Sequence, residues 1–246
     1  MPSVPIRESR IDSLSDGGIK FTARTLFRGL SHLYDRVLEY ATLFQDRYWK
    51  TWLLEEAKLK EGSTVLDLGS GTCVLEQYLG TKGCRTVGLD LTEEMVRIGS
   101  KKRLPAVESL IIGDAENLPF GDCIFDVVLS CYIAKYCRPE NLVSEVKRSL
   151  KPGGKLVLYD FSHPRGLFGL FHAFYLHGVM KIAGAMLRRV SPGLHYTFTN
   201  LPSIISTRRW EEAIESSLVE NGFSQIRKRR LSGGVVTGFS ATFTLN

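Results

Sequence analysis

Three aspartates close short, mostly apolar runs of this 246-residue chain, at a spacing suited to converging on one ligand. Asp67 ends Thr64-Val65-Leu66-Asp67 and leads into Leu68-Gly69-Ser70-Gly71-Thr72-Cys73, where glycines let backbone approach a ligand and the amides opening a helix face it. Asp90 follows Arg85-Thr86-Val87-Gly88-Leu89, 23 residues after Asp67, which is the length of one strand-helix-strand unit. Its carboxylate could accept hydrogen bonds from both ribose hydroxyls of a nucleoside. Asp114 follows Leu110-Ile111-Ile112-Gly113, where an adenine amino group would be read. Taken singly, the glycines could be a tight turn and Asp114 a turn cap. Three carboxylates at three successive strand ends are harder to explain as a solvated face, and they point to nucleoside binding. A dinucleotide would call for G-x-G-x-x-G, and Val74 stands where the third glycine belongs, which disfavours a nicotinamide enzyme.

The elements that would hold these residues alternate between short apolar runs and amphipathic segments. Five runs, within 64–68, 85–89, 110–112, 125–129 and 155–159, suit parallel strands buried on both faces. Helices are expected over Val74 to Leu79, Thr92 to Lys102 and Pro139 to Leu150, with Gly153-Gly154 stopping the last. The pattern is α/β, a doubly wound, Rossmann-like sheet with right-handed crossovers. A helix at Arg208 to Glu220 and two closing strands near Phe223 to Leu231 and Val235 to Phe243 bring the sheet to seven strands. Two amphipathic helices precede the first run, one through Leu26, Leu30, Tyr34 and Leu38, the other through Trp49, Leu53 and Ala57. Residues 1–20 carry no hydrophobic period and read as a disordered tail, leaving 21–246 as a single domain with a helical insertion at about 165–205.

The apolar fraction of 43% supports a substantial core, and the formal charge of +6 bears on encounter with anionic partners rather than on fold. Five cysteines with no C-x-x-C pair and no preceding signal segment read as reduced thiols of a cytoplasmic protein, with no zinc site. The apolar stretch Gly166 to Leu187 is interrupted by His172, His177 and Lys181 and flanked by Arg165, Arg188 and Arg189, which argues against a membrane span.

These motifs together resemble the class I S-adenosylmethionine-dependent methyltransferases: Val65-Leu66-Asp67-Leu68-Gly69-Ser70-Gly71-Thr72, Gly88-Leu89-Asp90, Gly113-Asp114-Ala115 before Leu118-Pro119-Phe120, and Phe125-Asp126-Val127-Val128-Leu129-Ser130. The run Leu150-Lys151-Pro152-Gly153-Gly154-Lys155-Leu156 followed by Phe161-Ser162-His163-Pro164 is similar to the ubiquinone and menaquinone C-methyltransferases, as are Tyr34-Asp35 and Gly233-Gly234-Val235-Val236. The resemblance covers roughly Leu26 to Phe243. It implies S-adenosylmethionine as methyl donor, contacted by Tyr34, Asp67, Thr72, Asp90, Leu91, Asp114, Ala115 and Ser130, with Gly69 and Gly71 shaping the pocket for its amino-acid part. Two departures stand out. Cys73 replaces the last glycine of D-x-G-x-G-x-G, and Ser130-Cys131-Tyr132-Ile133-Ala134-Lys135 lacks the Arg-Asn pair that the quinone enzymes place there.

Methyl transfer from a sulfonium needs alignment and exclusion of water, and neither metal nor covalent intermediate. For carbon methylation of a hydroquinone, a base would assist. His163, Tyr132 and Asp160 are the candidates, His163 first, against the reading of that histidine as structural. The insertion is either a greasy, basic-edged lid admitting a small lipophilic acceptor from an anionic membrane surface, or a helix pair packed on the sheet or on a second subunit of a homodimer. No nucleic acid is expected as substrate, because Cys131-Tyr132-Ile133 stands where amino-methylating enzymes of that kind carry Pro-Pro-aromatic. A methyltransferase for lipid headgroups or other small molecules is the nearest alternative, and a non-catalytic nucleoside-binding, membrane-associated module the most distant.

Overall fold

The computed structural model of the chain describes residues 6–8, 17–189, 192–207 and 210–244. Its strands are β1 (Ile6–Glu8), β2 (Thr64–Leu68), β3 (Arg85–Asp90), β4 (Val107–Ile112), β5 (Phe125–Cys131), β6 (Leu150–Phe161), β7 (Phe223–Leu231) and β8 (Val236–Phe243). They form one sheet in the order β1-β4-β3-β2-β5-β6-β8-β7. All neighbours are parallel except β8, which pairs antiparallel with β6 and β7. The chain steps outward from β2 to β4 and then returns past β2 to β5, so the order reverses beside β2, and ligands of open α/β sheets bind outside the carboxyl ends at such a point.

The helices are α1 (Gly17–Leu30), α2 (Tyr34–Ala41), α3 (Gln45–Ala57), α4 (Val74–Leu79), α5 (Glu93–Lys101), α6 (Pro139–Ser149), α7 (Gly166–Phe174), α8 (Met180–Met186), α9 (Pro192–Thr207) and α10 (Trp210–Glu220), with a π-helical turn at Tyr175–Val179 joining α7 to α8. Successive residues of a strand point to opposite faces. Leu66, Leu68, Val128 and Leu156 therefore pack under α6 and α10 with Leu142, Val146, Trp210 and Ile214. Val65, Val127, Leu129 and Val157 pack under α3 and α4 with Trp49, Trp52, Leu53, Leu75 and Leu79. Both faces of the central strands are covered, which is why the runs read as continuously apolar.

Three differences from the sequence reading have local causes. Ile6–Glu8 is an eighth strand at the edge, in register Ile6↔Leu110 to Glu8↔Ile112, and α1 already begins at Gly17. A parallel edge pairing is made by backbone groups and leaves no hydrophobic period to read. The apolar spacing from Leu26 to Leu38 runs through a break at residues 31–33, where the Ser31 hydroxyl donates to the Arg28 carbonyl, so three helices rather than two precede β2. Lys151-Pro152-Gly153-Gly154 lies within the long β6, with Gly153 at φ +80, because Leu150 already pairs with Phe125.

Candidate active site

The register Asp67↔Gly88, Asp90↔Ile112 and Leu68↔Ser130 brings the ends of β2, β3, β4 and β5 to one edge. Two solvent-open cavities that share Gly69 lie in the loops beyond that edge, the larger taking in about 520 Å³ including open solvent and the smaller about 340 Å³. Gly69 has φ +77, and a Cβ there would stand 2.3 Å from Ile133 Cγ2, so only glycine leaves the junction open. Cys73, in place of the usual glycine, also takes a left-handed conformation at φ +60, with its sulfur against Gly99.

The larger cavity is bordered by Asp90, Leu91, Asp114 and Ala115, as the sequence predicted, and also by Lys20, Phe27, Ile133 and Tyr136, which it did not. Asp90 accepts from the Thr92 amide at 2.7 Å and the Gly71 amide at 2.9 Å, so it fixes the glycine turn while two further lone-pair directions remain. Burial raises its pKa against those hydrogen bonds. Asp114 caps the turn, as one of its two expected readings had it, and also borders the cavity. Its Oδ1 caps the turn by accepting from the Glu116 amide at 3.0 Å, and its Oδ2 pairs with Lys20 Nζ at 2.7 Å beside the cavity. Burial of Lys20 opposes its charge, yet Asp114 and Glu116 hold its pKa above the ordinary lysine value.

The smaller cavity is bordered by Tyr34, Asp67, Gly71 and Thr72, all predicted, together with Lys50, Ser70 and Tyr132. Lys50 is committed to Asp46 on the same face of α3. Thr72 donates its hydroxyl to Asp35, whose other oxygen takes Lys102 Nζ at 2.7 Å. Ser130 departs from expectation. Its hydroxyl donates to the Leu68 carbonyl at 3.1 Å, and it borders neither cavity, because the alternation of β5 turns it into the sheet.

The three base candidates separate. Tyr132 borders the smaller cavity and donates its hydroxyl to Asp46 Oδ1 at 2.6 Å, with burial and that carboxylate pushing its pKa well above the ordinary tyrosine value. Its ring stacks on Phe161 at 4.9 Å. Asp160 is wholly buried and ion-paired with Lys135, and it also accepts from the Lys135 and Phe161 amides. His163 is exposed beyond the end of β6 and borders neither cavity.

The residues missed from sequence come from elements whose docking is not encoded in the strand-end motifs. Lys20, Ala23 and Phe27 line the larger cavity from one face of α1, at i, i+3 and i+7. Lys20 falls in the segment read as a tail and the helical spacing is followed only from Leu26, and no such spacing says which surface the helix covers. Replacing Lys20 by Met is expected to leave Asp114 free to take a ligand donor and to change nucleoside affinity no more than severalfold; calorimetry on Lys20→Met tests this.

A family model described as a methyltransferase domain matches residues 66–158. The demethylmenaquinone methyltransferase of Mycolicibacterium gilvum (strain PYR-GCK) is 33% identical over 223 residues, 89% of this chain and 93% of that protein. That of Paenarthrobacter aurescens (strain TC1) is 31% identical over 86% of this chain and 82% of its own length. Among solved structures, a SAM-dependent methyltransferase from Aquifex aeolicus superposes with a TM-score of 0.55 at 22% identity, covering 79% of this chain and 89% of that one, a likeness of fold. With nine-tenths of such a relative matched end to end on a sheet of this topology, the chain belongs to the demethylmenaquinone methyltransferase family of S-adenosylmethionine-dependent methyltransferases.

Proposed function

We propose that the chain methylates a ring carbon of a prenylated quinol, with S-adenosylmethionine lying along the groove that Gly69 divides. The observation that carries this reading is the meeting of two carboxylate-bearing cavities at Gly69, at the reversal point of the sheet. The residues present suit the donor: Asp67 Oδ1 and Ser70 Oγ are buried with no amide, hydroxyl or ammonium among the described residues bonded to them. Asp90 would accept the ribose hydroxyls, Leu91, Asp114 and Ala115 would surround adenine, and Tyr34, Asp67, Gly69, Gly71 and Thr72 would hold the amino-acid part. When bound, the donor supplies a methyl group activated by its sulfonium.

Tyr132 takes the part expected of a base. With its own proton directed at Asp46, its oxygen is free to accept a hydrogen bond from a ring hydroxyl at the cavity, which raises electron density on the ring carbon to be methylated. Tyr132→Phe should lower kcat by roughly 10²-fold while donor affinity stays within about twofold. Equal loss in both would assign the tyrosine to donor binding instead. The reading as a whole is tested by the mass of the methylated product formed from candidate quinols and lipids; a methylated headgroup in place of a ring would favour the lipid alternative.

The insertion supports a lipophilic acceptor at a bilayer surface. Its apolar residues divide between two faces. Leu176 and Met180 pack inward against Ala41, Phe161, Phe198 and Leu201. Leu167, Leu170, Phe171, Phe174, Ile182 and Met186 face outward, from 64% to 84% exposed. Between Phe161 and Arg209 the sequence has no acidic residue and six Lys or Arg, which equals the formal excess of +6 and leaves 26 basic and 26 acidic residues elsewhere. An apolar face inside a stretch of purely basic charge fits an anionic lipid surface, at about 1 kcal/mol per basic residue near it. Among the described residues no helix is long and apolar enough to cross a membrane. Phe171→Ser with Phe174→Ser should cut binding to anionic vesicles at low salt by more than about tenfold, since each ring withdrawn from water is worth roughly 1.5–3 kcal/mol. If the double variant sediments with vesicles as well as the parent, the outward face serves another contact, such as a second copy of the chain.

A further inference from the structure

Below the smaller cavity two carboxylic acids meet without a counter-ion. Asp67, at the end of β2, is 1% exposed, and Glu76, on the inner face of α4, is fully buried. The two side chains lie within hydrogen-bonding reach of each other. Asp67 Oδ1 and both carboxyl oxygens of Glu76 are buried, and apart from the backbone amide of Glu76 itself no amide, hydroxyl or ammonium of the described residues is directed at them. Two carboxylates so placed cannot both ionise cheaply, and the arrangement that satisfies them is one proton held between the pair.

The surroundings explain why no protein cation has taken the proton's place. Lys50, on α3, is within range but bonded to both oxygens of Asp46. Lys102, after α5, is spent on Asp35 at 2.7 Å. Asp90, at the end of β3, adds negative charge from the third side. The thiols of Cys73, before α4, and Cys131, on β5, are held protonated by burial and contribute none. Burial, ahead of the opposing hydrogen bond from Glu76, pushes the Asp67 carboxyl up to about 7, and burial together with Asp67 pushes Glu76 well above the ordinary glutamate value. Asp67 thus borders the space assigned to the amino-acid part of the donor, with Glu76 buried directly behind it.

We propose that Glu76 is a positioning residue for the methyl donor: it shares one proton with Asp67 in the free protein, and the α-ammonium of the bound donor displaces that proton to solvent and takes its place against the paired carboxylates. This rests on the groove reading above. The balance is one proton released as one ammonium is bound, with no other bond made or broken. The sign follows from which form binds the cation. Below the range in which the pair ionises, the ammonium must expel the proton against a high proton activity, so affinity rises with pH; once the pair has ionised, the dependence ends.

Calorimetric titration of S-adenosylmethionine between pH 5.5 and 7.5, in two buffers of different ionisation enthalpy, reads the proton directly. The wild-type chain should release a large fraction of one proton per donor bound, and its affinity should rise severalfold across the range. 5′-Methylthioadenosine, which lacks the amino-acid part, should release none. Glu76→Gln removes the shared proton while keeping the shape. It should bind S-adenosylmethionine more tightly than wild type at pH 5.5, with little pH dependence and no buffer-dependent heat. Binding of the donor by wild type without proton release, or with the same release from methylthioadenosine, overturns the inference and leaves the groove reading standing. No binding at any pH overturns both. The wild-type result decides the matter even where the variant does not fold.

Discussion

Asp90→Ala should bind S-adenosylmethionine roughly 10²–10⁴-fold more weakly than wild type, because two hydrogen bonds to a charged acceptor are lost at about 1.5–3 kcal/mol each. The structure adds a second cost, since the same carboxylate accepts from the amides of Gly71 and Thr92 and so holds the glycine turn against β3. Both costs fall on the larger cavity and on its junction with the smaller one, so adenosine alone should lose nearly as much affinity as the full donor. Calorimetry with both ligands, alongside a thermal melt of the free variant, separates ligand contact from a loosened turn. Undiminished affinity of the variant would remove Asp90 from the donor site, and with it the placing of the ribose.

Lys135→Met should destabilise the folded chain by roughly 3–5 kcal/mol, the cost of leaving one member of a buried ion pair without its partner. Asp160 is fully buried, and Lys135 is 3% exposed among the rings of Tyr136 at 4.7 Å and Phe161 at 5.3 Å. In a domain of this size such a loss lowers Tm by about 10 °C. The double variant Lys135→Met, Asp160→Asn should recover most of it, since the uncompensated charge is then gone. This pair also explains why Asp160 does not serve as a base: its carboxylate is engaged by the Lys135 ammonium and by two amides. A single variant that melts with the wild type would mean that the carboxylate is free to take a proton, and would return Asp160 to the list of bases.

The parts legible in the sequence were those whose chemistry follows strand ends. Asp67, Asp90 and Asp114 could be placed because a parallel strand buried on both faces is a short apolar run, and the residue that ends it lies at the sheet edge. Asp114 shows the limit of this, since turn cap and cavity wall proved to be the same residue. Ser130 lies one step of strand alternation away from Cys131, which borders the smaller cavity, and β6 runs on to Phe161 and delivers His163 past the edge into solvent. Lys50 and Glu76 were invisible for another reason: each comes from a helix whose period tells that one face is buried, and not against what, whereas Lys20 lay in the segment read as a disordered tail. Nothing in Leu75-Glu76-Gln77 marks the glutamate as the one that turns inward.

The placing of α1 has a kinetic consequence. One face of this helix, through Lys20, Ala23 and Phe27, walls the larger cavity, while Leu26 packs with Leu194 of α9, which in turn touches α8. A nucleoside in the larger cavity would have α1 as one wall, and α1 is tied by its packing to the bundle proposed to cover the acceptor. Such a scaffold predicts ordered turnover, with the donor adding first, the acceptor second, the methylated product leaving next and the spent nucleoside last. Product inhibition by S-adenosylhomocysteine should accordingly be competitive with the donor and noncompetitive with the acceptor.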